Sequence, residues 1–408
     1  MRKDIDRIMQ ERGLAGLVIF ANDRYSPALY YVTGQHMHKA VYFRSAAGHG
    51  YLIHDPMERD SAAKAGCEHA PFPQHGWNRI LEQEPGPAEA HGRLIAETLS
   101  TLGMLGPVAF YGELDAGYAW QMLHRVRALE PKVEVDTTQP DVLTLARATK
   151  DEDELDAIRR ISNANVAALE RVLDFVRTLR RDGEHFRANG GGPVKLGDLR
   201  RLIHQTFMEH KLAEDGESIV SQGRDAGVPH NRGNDAELLR AGAPLLIDIF
   251  PVEGAGGYHS DMTRTYCLGP APAELKTAYA QVREAFDTAM GEIRVGAPCR
   301  GYQERVCGVF EKYGHPTPRS QPGTQEGYVH GLGHGVGLAV HEAPSLGGPV
   351  GNTATLEPGH VVTVEPGLYY PSRGLGVRIE DLIVMRADGT YENMTAAAPY
   401  DLEIEIGG

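Results

Sequence analysis

A chain of 408 residues, 41% hydrophobic and 24% charged, has the composition of an ordinary globular protein. It contains no apolar run near the roughly 18 residues that a membrane helix needs. Its 41 basic against 55 acidic residues, a net of −14, argue against a nucleic-acid-binding surface. Single cores stop growing at roughly 250 to 300 residues, so two domains are expected. Four cysteines (Cys67, Cys267, Cys299, Cys307) make neither a disulfide framework nor a CxxC pair, which fits a reducing cytoplasm. The N-terminal MRKDIDRIMQERG and the short apolar GLAGLVIFA read as a first helix and strand rather than a leader.

From Leu14 to about Val142, short β-type runs (LVIFA, AVYFR, GYLIH, PVAFYG, VEVD) alternate with helical stretches at Ala88–Leu102 and Tyr118–Leu129, the pattern of an α/β domain. Asn22–Tyr25 reads as a polar turn, and Tyr30–Gly34 as a short strand or a plain connection. Pro140 closes the segment. LARATKDEDELDAIRRI then opens a long amphipathic helix, expected to reach about Arg181, with acidic residues in its first turn as the helix dipole favours. The expected domains are 1–147 and 148–408. In the second, the glycine-rich GEHFRANGGGPVKLGD reads as a flexible loop, followed by a helix at Leu199–His210, the strand SIVSQG and the loop DAGVPHNRGND. A β-hairpin is expected from Pro244–Pro251, the turn VEGAGG and Tyr258–Leu268. Helices at Ala273–Ile293 and Tyr302–Lys312 and strand runs at Val361–Tyr370 and Gly376–Met385 complete the chain.

The stretch Tyr328–Glu342, YVHGLGHGVGLAVHE, sets His330, His334 and His341 among glycines. On one helix these histidines would share a face, as a metal site requires. But Gly331, Gly333, Gly335 and Gly337 would each cost about 1 kcal/mol inside a helix, so strand and loop are expected. His341–Glu342 is followed by Ala343, Pro344 and Ser345, which rules out an HExxH zinc motif. From this stretch alone, a metal or catalytic role and an ordinary core or surface role both remain open.

Four acids answer the histidines. Asp248 interrupts the apolar run LLIDIF, where an unpaired carboxylate costs several kcal/mol unless a cation compensates it. Period-two alternation sets Asp261 on one face with His259, Thr263 and Thr265. Glu365 in VVTVEPGLY and Glu380 in GVRIEDLIV repeat the anomaly. One such acid is usually an edge position or a salt-bridge partner, but four in one domain call for compensation. Two divalent ions held by carboxylates and one imidazole supply it, and such donors suit Mn²⁺, Co²⁺ or Zn²⁺. Paired metals imply hydrolysis.

The order of these parts, with GYHSDMTRT, HGLGHGVGLAVHE, TVEPGLY and GVRIEDLIV in sequence, resembles the pita-bread metallopeptidases, which include methionine aminopeptidases, Xaa-Pro aminopeptidases and prolidases. NDRYSPALYYVTG and PMERDSAAKAG resemble the creatinase-type N-terminal domain of that family. The resemblance implies an α+β chain with an α/β N-terminal domain and a pita-bread catalytic domain. It implies that Asp248 chelates one metal, that Asp261 and Glu380 bridge both, and that His334 and Glu365 complete the other, Glu365 also serving as general base. It places His230, His330 and His341 around the substrate and Arg378 beside the metals. By itself His230 would read as a surface residue of a polar loop, and Arg378 equally as the salt-bridge partner of Asp248. Two departures stand out: Asp261 follows Asp248 by 13 positions, more than is usual in the family, and Asn231 replaces the tyrosine that often follows the upstream histidine of prolyl-specific members.

The resemblance therefore implies metal-dependent hydrolysis of the Xaa-Pro bond of a small peptide, by a dipeptidase (prolidase) ahead of an aminopeptidase acting on longer peptides. A metal-free creatinase-like hydrolase is disfavoured by the intact ligand set, and so is a non-catalytic binding module. A methionine aminopeptidase is disfavoured because that activity needs no N-terminal domain of this size. A homodimer is implied, because relatives use that domain to cover a neighbour's site. Loops at 183–198 are expected to help wall the site and set peptide length.

Overall fold

The computed structural model describes residues 1–214, 216, 218–347 and 351–407. Its chain divides into two compact units, Met1–Arg147 and Ala148–Gly408.

In the first unit, β1 (Gly16–Asn22), β2 (Lys39–Ser45), β3 (Gly50–His54), β4 (Glu68–Pro71), β5 (Pro107–Tyr111) and β6 (Glu134–Val135) form one mixed sheet in the order β4-β3-β2-β1-β5-β6. The five β-type runs of the sequence are β1, β2, β3, β5 and β6. Helices Pro87–Thr101 and Ala116–Leu129 bury Leu94, Leu99, Met122 and Val126 against Val18, Phe43 and Val108 of the sheet. Tyr30–Gly34 is neither strand nor plain connection: it belongs to a helix, Pro27–Thr33. Ser26 caps that helix by accepting from the Leu29 N–H (3.2 Å), Pro27 opens it, and Gly34 closes it at φ +65°, local signals that outweigh the β-favouring tyrosines.

The second unit opens with a helix at Glu152–Arg177, where the Glu154 carboxylate accepts from the Asp151 N–H (2.7 Å). It ends short of Arg181 because β7 (Arg180–Asp182) and β8 (His185–Arg187) form a hairpin around Gly183, so the glycine-rich segment is partly ordered strand. After a helix at Leu196–Glu209 come β9 (Leu212–Glu214), β10 (Ile219–Gln222), β11 (Pro244–Ile249), β12 (Pro251–Glu253) and β13 (Met262–Leu268). β10, β11 and β13 are antiparallel neighbours, while β12 leaves them to pair with β9. The expected hairpin is thus shorter than its apolar pattern, and Asp261 stands one residue before β13. Helices Ala273–Glu292 and Cys299–Lys312 supply Leu275, Val282, Phe286 and Phe310 to the core behind the last strands.

Each late strand run is two strands. β14 (Val361–Val364) pairs with β17 (Asp381–Met385), and β15 (Gly367–Tyr370) pairs with β16 (Leu375–Arg378); β18 (Tyr391–Asn393) lies beside β17, and β19 (Glu403–Ile404) extends the β13 edge. The breaks fall at Glu365–Pro366 and Ile379–Glu380. Pro366 has no N–H to continue a ladder. At each break the acid is tied elsewhere: Glu365 N–H donates to the Leu332 carbonyl (2.8 Å) and Glu380 N–H to that of Thr263 (3.0 Å). The strand breaks aim two carboxylates at the histidine segment and at β13.

Candidate metal centre

Asp248, on β11, is in register with Thr263 on β13. The Thr263 hydroxyl donates to Glu380 Oε2 (2.6 Å) and accepts from Arg378 Nε (3.0 Å), so one threonine links an acid to the arginine. Arg378 Nη2 donates to Asp248 Oδ2 at 2.5 Å. The salt-bridge reading of Arg378 is therefore realised, and in the same position it lines the cavity.

The segment carrying His334 forms neither helix nor strand of its own and lies along β14. His334 N–H donates to Thr363 Oγ1 (3.1 Å) and its carbonyl accepts from Thr363 N–H (2.9 Å). Its Nδ1–H donates to the Gly335 carbonyl (3.1 Å), which leaves Nε2 bare, 3.4 Å from Glu365 Oε1 and 3.7 Å from Asp261 Oδ2. A neutral imidazole with its other nitrogen tied to a carbonyl is the form a metal ligand takes. The glycines serve the protein itself: a methyl group at Gly333 would strike the Thr363 carbonyl, and one at Gly335 the Ala343 carbonyl.

Asp248, Asp261, Glu380 and Arg378 are all less than 10% exposed. Four carboxylates with one arginine leave a large negative excess in low dielectric. Burial, then the neighbouring acids, push Asp261 and Glu365 well above the carboxylate range and Glu380 up to about 8. Burial lowers His334 to about 4 and His330 to about 3, so both are neutral near pH 7. Asp248 Oδ1 and Asp261 Oδ1 are buried with no hydrogen-bond partner among the described residues. Asp261, His334 and Glu380 each offer a ligand atom, all within 4.8 Å of one another. Unpartnered buried oxygens, mutually repelling acids and a bare imidazole nitrogen fit a divalent cation site.

All nine residues singled out in the sequence (Asp248, Asp261, His334, Glu365, Glu380, His230, His330, His341 and Arg378) line one cavity of about 760 Å³. The His341 ring lies 4.1 Å, centroid to centroid, from that of His334, and burial lowers its pKa. Asn231 turns away into its own loop, its side chain accepting from Gly233 N–H (3.0 Å), while its neighbour Arg232 lines the cavity. No residue of 183–198 is among the lining residues, because that segment is spent on the β7–β8 hairpin and the start of a helix. Tyr369 was missed. Its hydroxyl accepts from Arg378 Nη1 (2.8 Å) and donates to His330 Nε2 (2.8 Å), while His330 Nδ1–H donates to the Gly331 carbonyl (2.7 Å). Counting by twos from Glu365 reaches Tyr369, but the second tyrosine beside it makes the pair read as core.

Among the described residues no helix is long and apolar enough to cross a membrane. The profile of metallopeptidase family M24 matches residues 156–387. The chain is 32% identical over 249 residues to a protein named probable dipeptidase PepE of Mycobacterium tuberculosis, a match covering 61% of this chain and 59% of the relative. It is 30% identical over 317 residues to Xaa-Pro aminopeptidase 1 of Streptomyces coelicolor, covering 72% and 60% respectively. It thus spans about three fifths of these curated relatives. The solved structure of an Xaa-Pro dipeptidase from Bacillus anthracis superposes with a TM-score of 0.76 over 99% of each chain at 22% identity, a likeness of fold. The fold is α+β, with the pita-bread architecture preceded by an α/β N-terminal unit. With more than half its length matched by the family profile, the chain belongs to metallopeptidase family M24.

Proposed function

We propose that this chain is a dinuclear metal-dependent peptidase that cleaves the Xaa-Pro bond, with Xaa-Pro dipeptides as its main substrates. The observation that carries the reading is the convergence of Asp248, Asp261, His334, Glu365 and Glu380 on one cavity with unpartnered buried oxygens. These five residues hold two divalent ions, Mn²⁺ ahead of Co²⁺ or Zn²⁺. When bound, such ions supply Lewis-acid polarisation of a carbonyl and acidify water. The chain does the rest. Glu365, whose Oε1 lies 3.4 Å from His334 Nε2 in the cavity wall, takes up and returns a proton at the scissile bond. His341 and His230 face the peptide from the cavity wall, and His330, held as the Nδ1–H tautomer through Tyr369, presents no positive charge beside Arg378.

The chain acts as a homodimer in the cytoplasm, in keeping with its four free cysteines. A light-scattering mass near one 44.5 kDa chain would count against the dimer. The likeness to a Streptomyces Xaa-Pro aminopeptidase over 72% of this chain favours a second reading, cleavage of longer Xaa-Pro peptides. Proline release from Ala-Pro and Leu-Pro, compared with amino-acid release from an Xaa-Pro tripeptide in Mn²⁺, decides between them. A dipeptidase prefers the first pair, an aminopeptidase the tripeptide, and cleavage of neither overturns both readings.

A further inference from the structure

A buried ion pair stands beside the histidine segment but outside the metal ligands. Lys150 Nζ lies 3.4 Å from Glu342 Oε2, with side-chain exposures of 1% and 7%. Glu342 follows His341 directly. Its Oε1 accepts from the Ala339 N–H (3.0 Å), and its backbone exchanges both hydrogen bonds with Gly335, at 2.7 and 2.9 Å. The segment from Gly335 to Glu342 is therefore a closed loop, with His341 at its exit and the Glu342 side chain bracing it from inside. Gly337 makes the room: a methyl group there would fall 2.5 Å from Glu342 Oε2 and 3.0 Å from Lys150 Cε. The Gly337 carbonyl also accepts from the N–H of His259 (2.8 Å), two residues before Asp261. Lys150 is itself fixed, its N–H donating to the Gly359 carbonyl (2.9 Å) and its neighbour Thr149 bridging to His360.

A buried lysine–carboxylate pair is a poor device for stability alone, since apolar replacements of similar volume do as well or better. What this one adds is direction, because its carboxylate fixes the loop that turns His341 toward His334. We propose that Lys150 and Glu342 are positioning residues that hold the His341 ring toward the substrate without touching it. The inference rests on the peptidase reading of His341 given above.

The test uses the full chain loaded with Mn²⁺, in Lys150→Met and Glu342→Gln, each alone and each combined with His341→Ala. Kinetics of proline release and Mn²⁺ affinity are recorded on that protein, and the histidine-ring NMR spectrum on the same variants loaded with diamagnetic Zn²⁺. Misplacing a reacting group by about 1 Å costs up to roughly a hundredfold. Each single variant is expected to lose about ten- to a hundredfold in kcat, with Mn²⁺ affinity within about twofold of the parent. Each double variant is expected to be no slower than His341→Ala alone. The His341 ring signal should shift while that of exposed His49 stays. Unchanged kcat in both single variants, losses that multiply in the doubles, or an unmoved His341 signal would overturn the proposal. If His341→Ala keeps full activity, the role assigned to His341 fails instead. The ring signal then decides the pair alone, movement supporting positioning and no movement refuting it. Should Lys150→Met not fold, Glu342→Gln, which keeps an acceptor for Ala339, carries the same comparison.

Discussion

Replacing Glu380 by glutamine is expected to make the metal-free protein more stable while destroying its ability to hold metal. Burial and Asp248 raise the Glu380 carboxyl from 4.5 to about 8. Between those values the folded protein keeps a proton that the unfolded chain has released, so stability is lost as pH rises through that window. At about 1.4 kcal/mol per pH unit, the cost is under about 1 kcal/mol at pH 5 and about 4 kcal/mol at pH 8. Glutamine resembles the protonated acid and can still meet the Thr263 hydroxyl that Glu380 Oε2 now engages. The buried histidines, which titrate in the opposite sense, are common to both proteins and cancel in the comparison. Urea unfolding in excess chelator should therefore show Glu380→Gln gaining on the parent by about 4 kcal/mol at pH 8 and by under about 1 kcal/mol at pH 5. Saturating Mn²⁺ should restore the parent's advantage, since a ligand stabilises only the protein that binds it. A variant less stable than the parent at pH 8 in chelator, or a difference independent of pH, would refute the charge-repulsion account.

Glu365→Ala or His334→Ala should lower Xaa-Pro hydrolysis by at least about a thousandfold with an unchanged far-UV spectrum; substantial activity in Glu365→Ala would reassign the base. Arg264, 1% exposed, is bound to Asp381 at 2.7 Å and donates to the Glu380 carbonyl at 2.6 Å, so Arg264→Met should cost about 3–5 kcal/mol in urea unfolding by leaving Asp381 uncompensated. A cost below about 1 kcal/mol would show that Thr395, Asn393 and Tyr400, which also donate to Asp381, suffice without the cation. Gly333→Ala should cost about 1–3 kcal/mol through its collision with the Thr363 carbonyl and weaken Mn²⁺ binding by displacing His334, read by calorimetric titration.

The parts of the site that sequence made legible are those that violate a local pattern. Asp248 within LLIDIF, Glu365 and Glu380 within apolar runs, and three histidines among glycines are each anomalous where they stand, and the structure gathers all of them around one cavity. What stayed hidden obeys local rules and acquires meaning from distant partners. Tyr369 reads as an ordinary strand aromatic until Arg378 and His330 meet its hydroxyl. Arg264 looks like an exposed position between two threonines, yet Asp381, 117 residues away, draws it inside. Strand periodicity also runs straight through the Glu365–Pro366 and Ile379–Glu380 breaks, because hydrophobicity does not register a change of pairing partner. The helix at Pro27–Thr33 shows the opposite case, in which Ser26, Pro27 and Gly34 were readable as boundary signals and outweigh β propensity.

The most direct test of the central claim is proline release from Ala-Pro by chelator-stripped protein titrated with Mn²⁺, followed against equivalents of metal per chain. The account predicts no release without metal and a rate that rises to a plateau at about two equivalents per chain. Full release in the presence of chelator, or none at any metal loading, would contradict it.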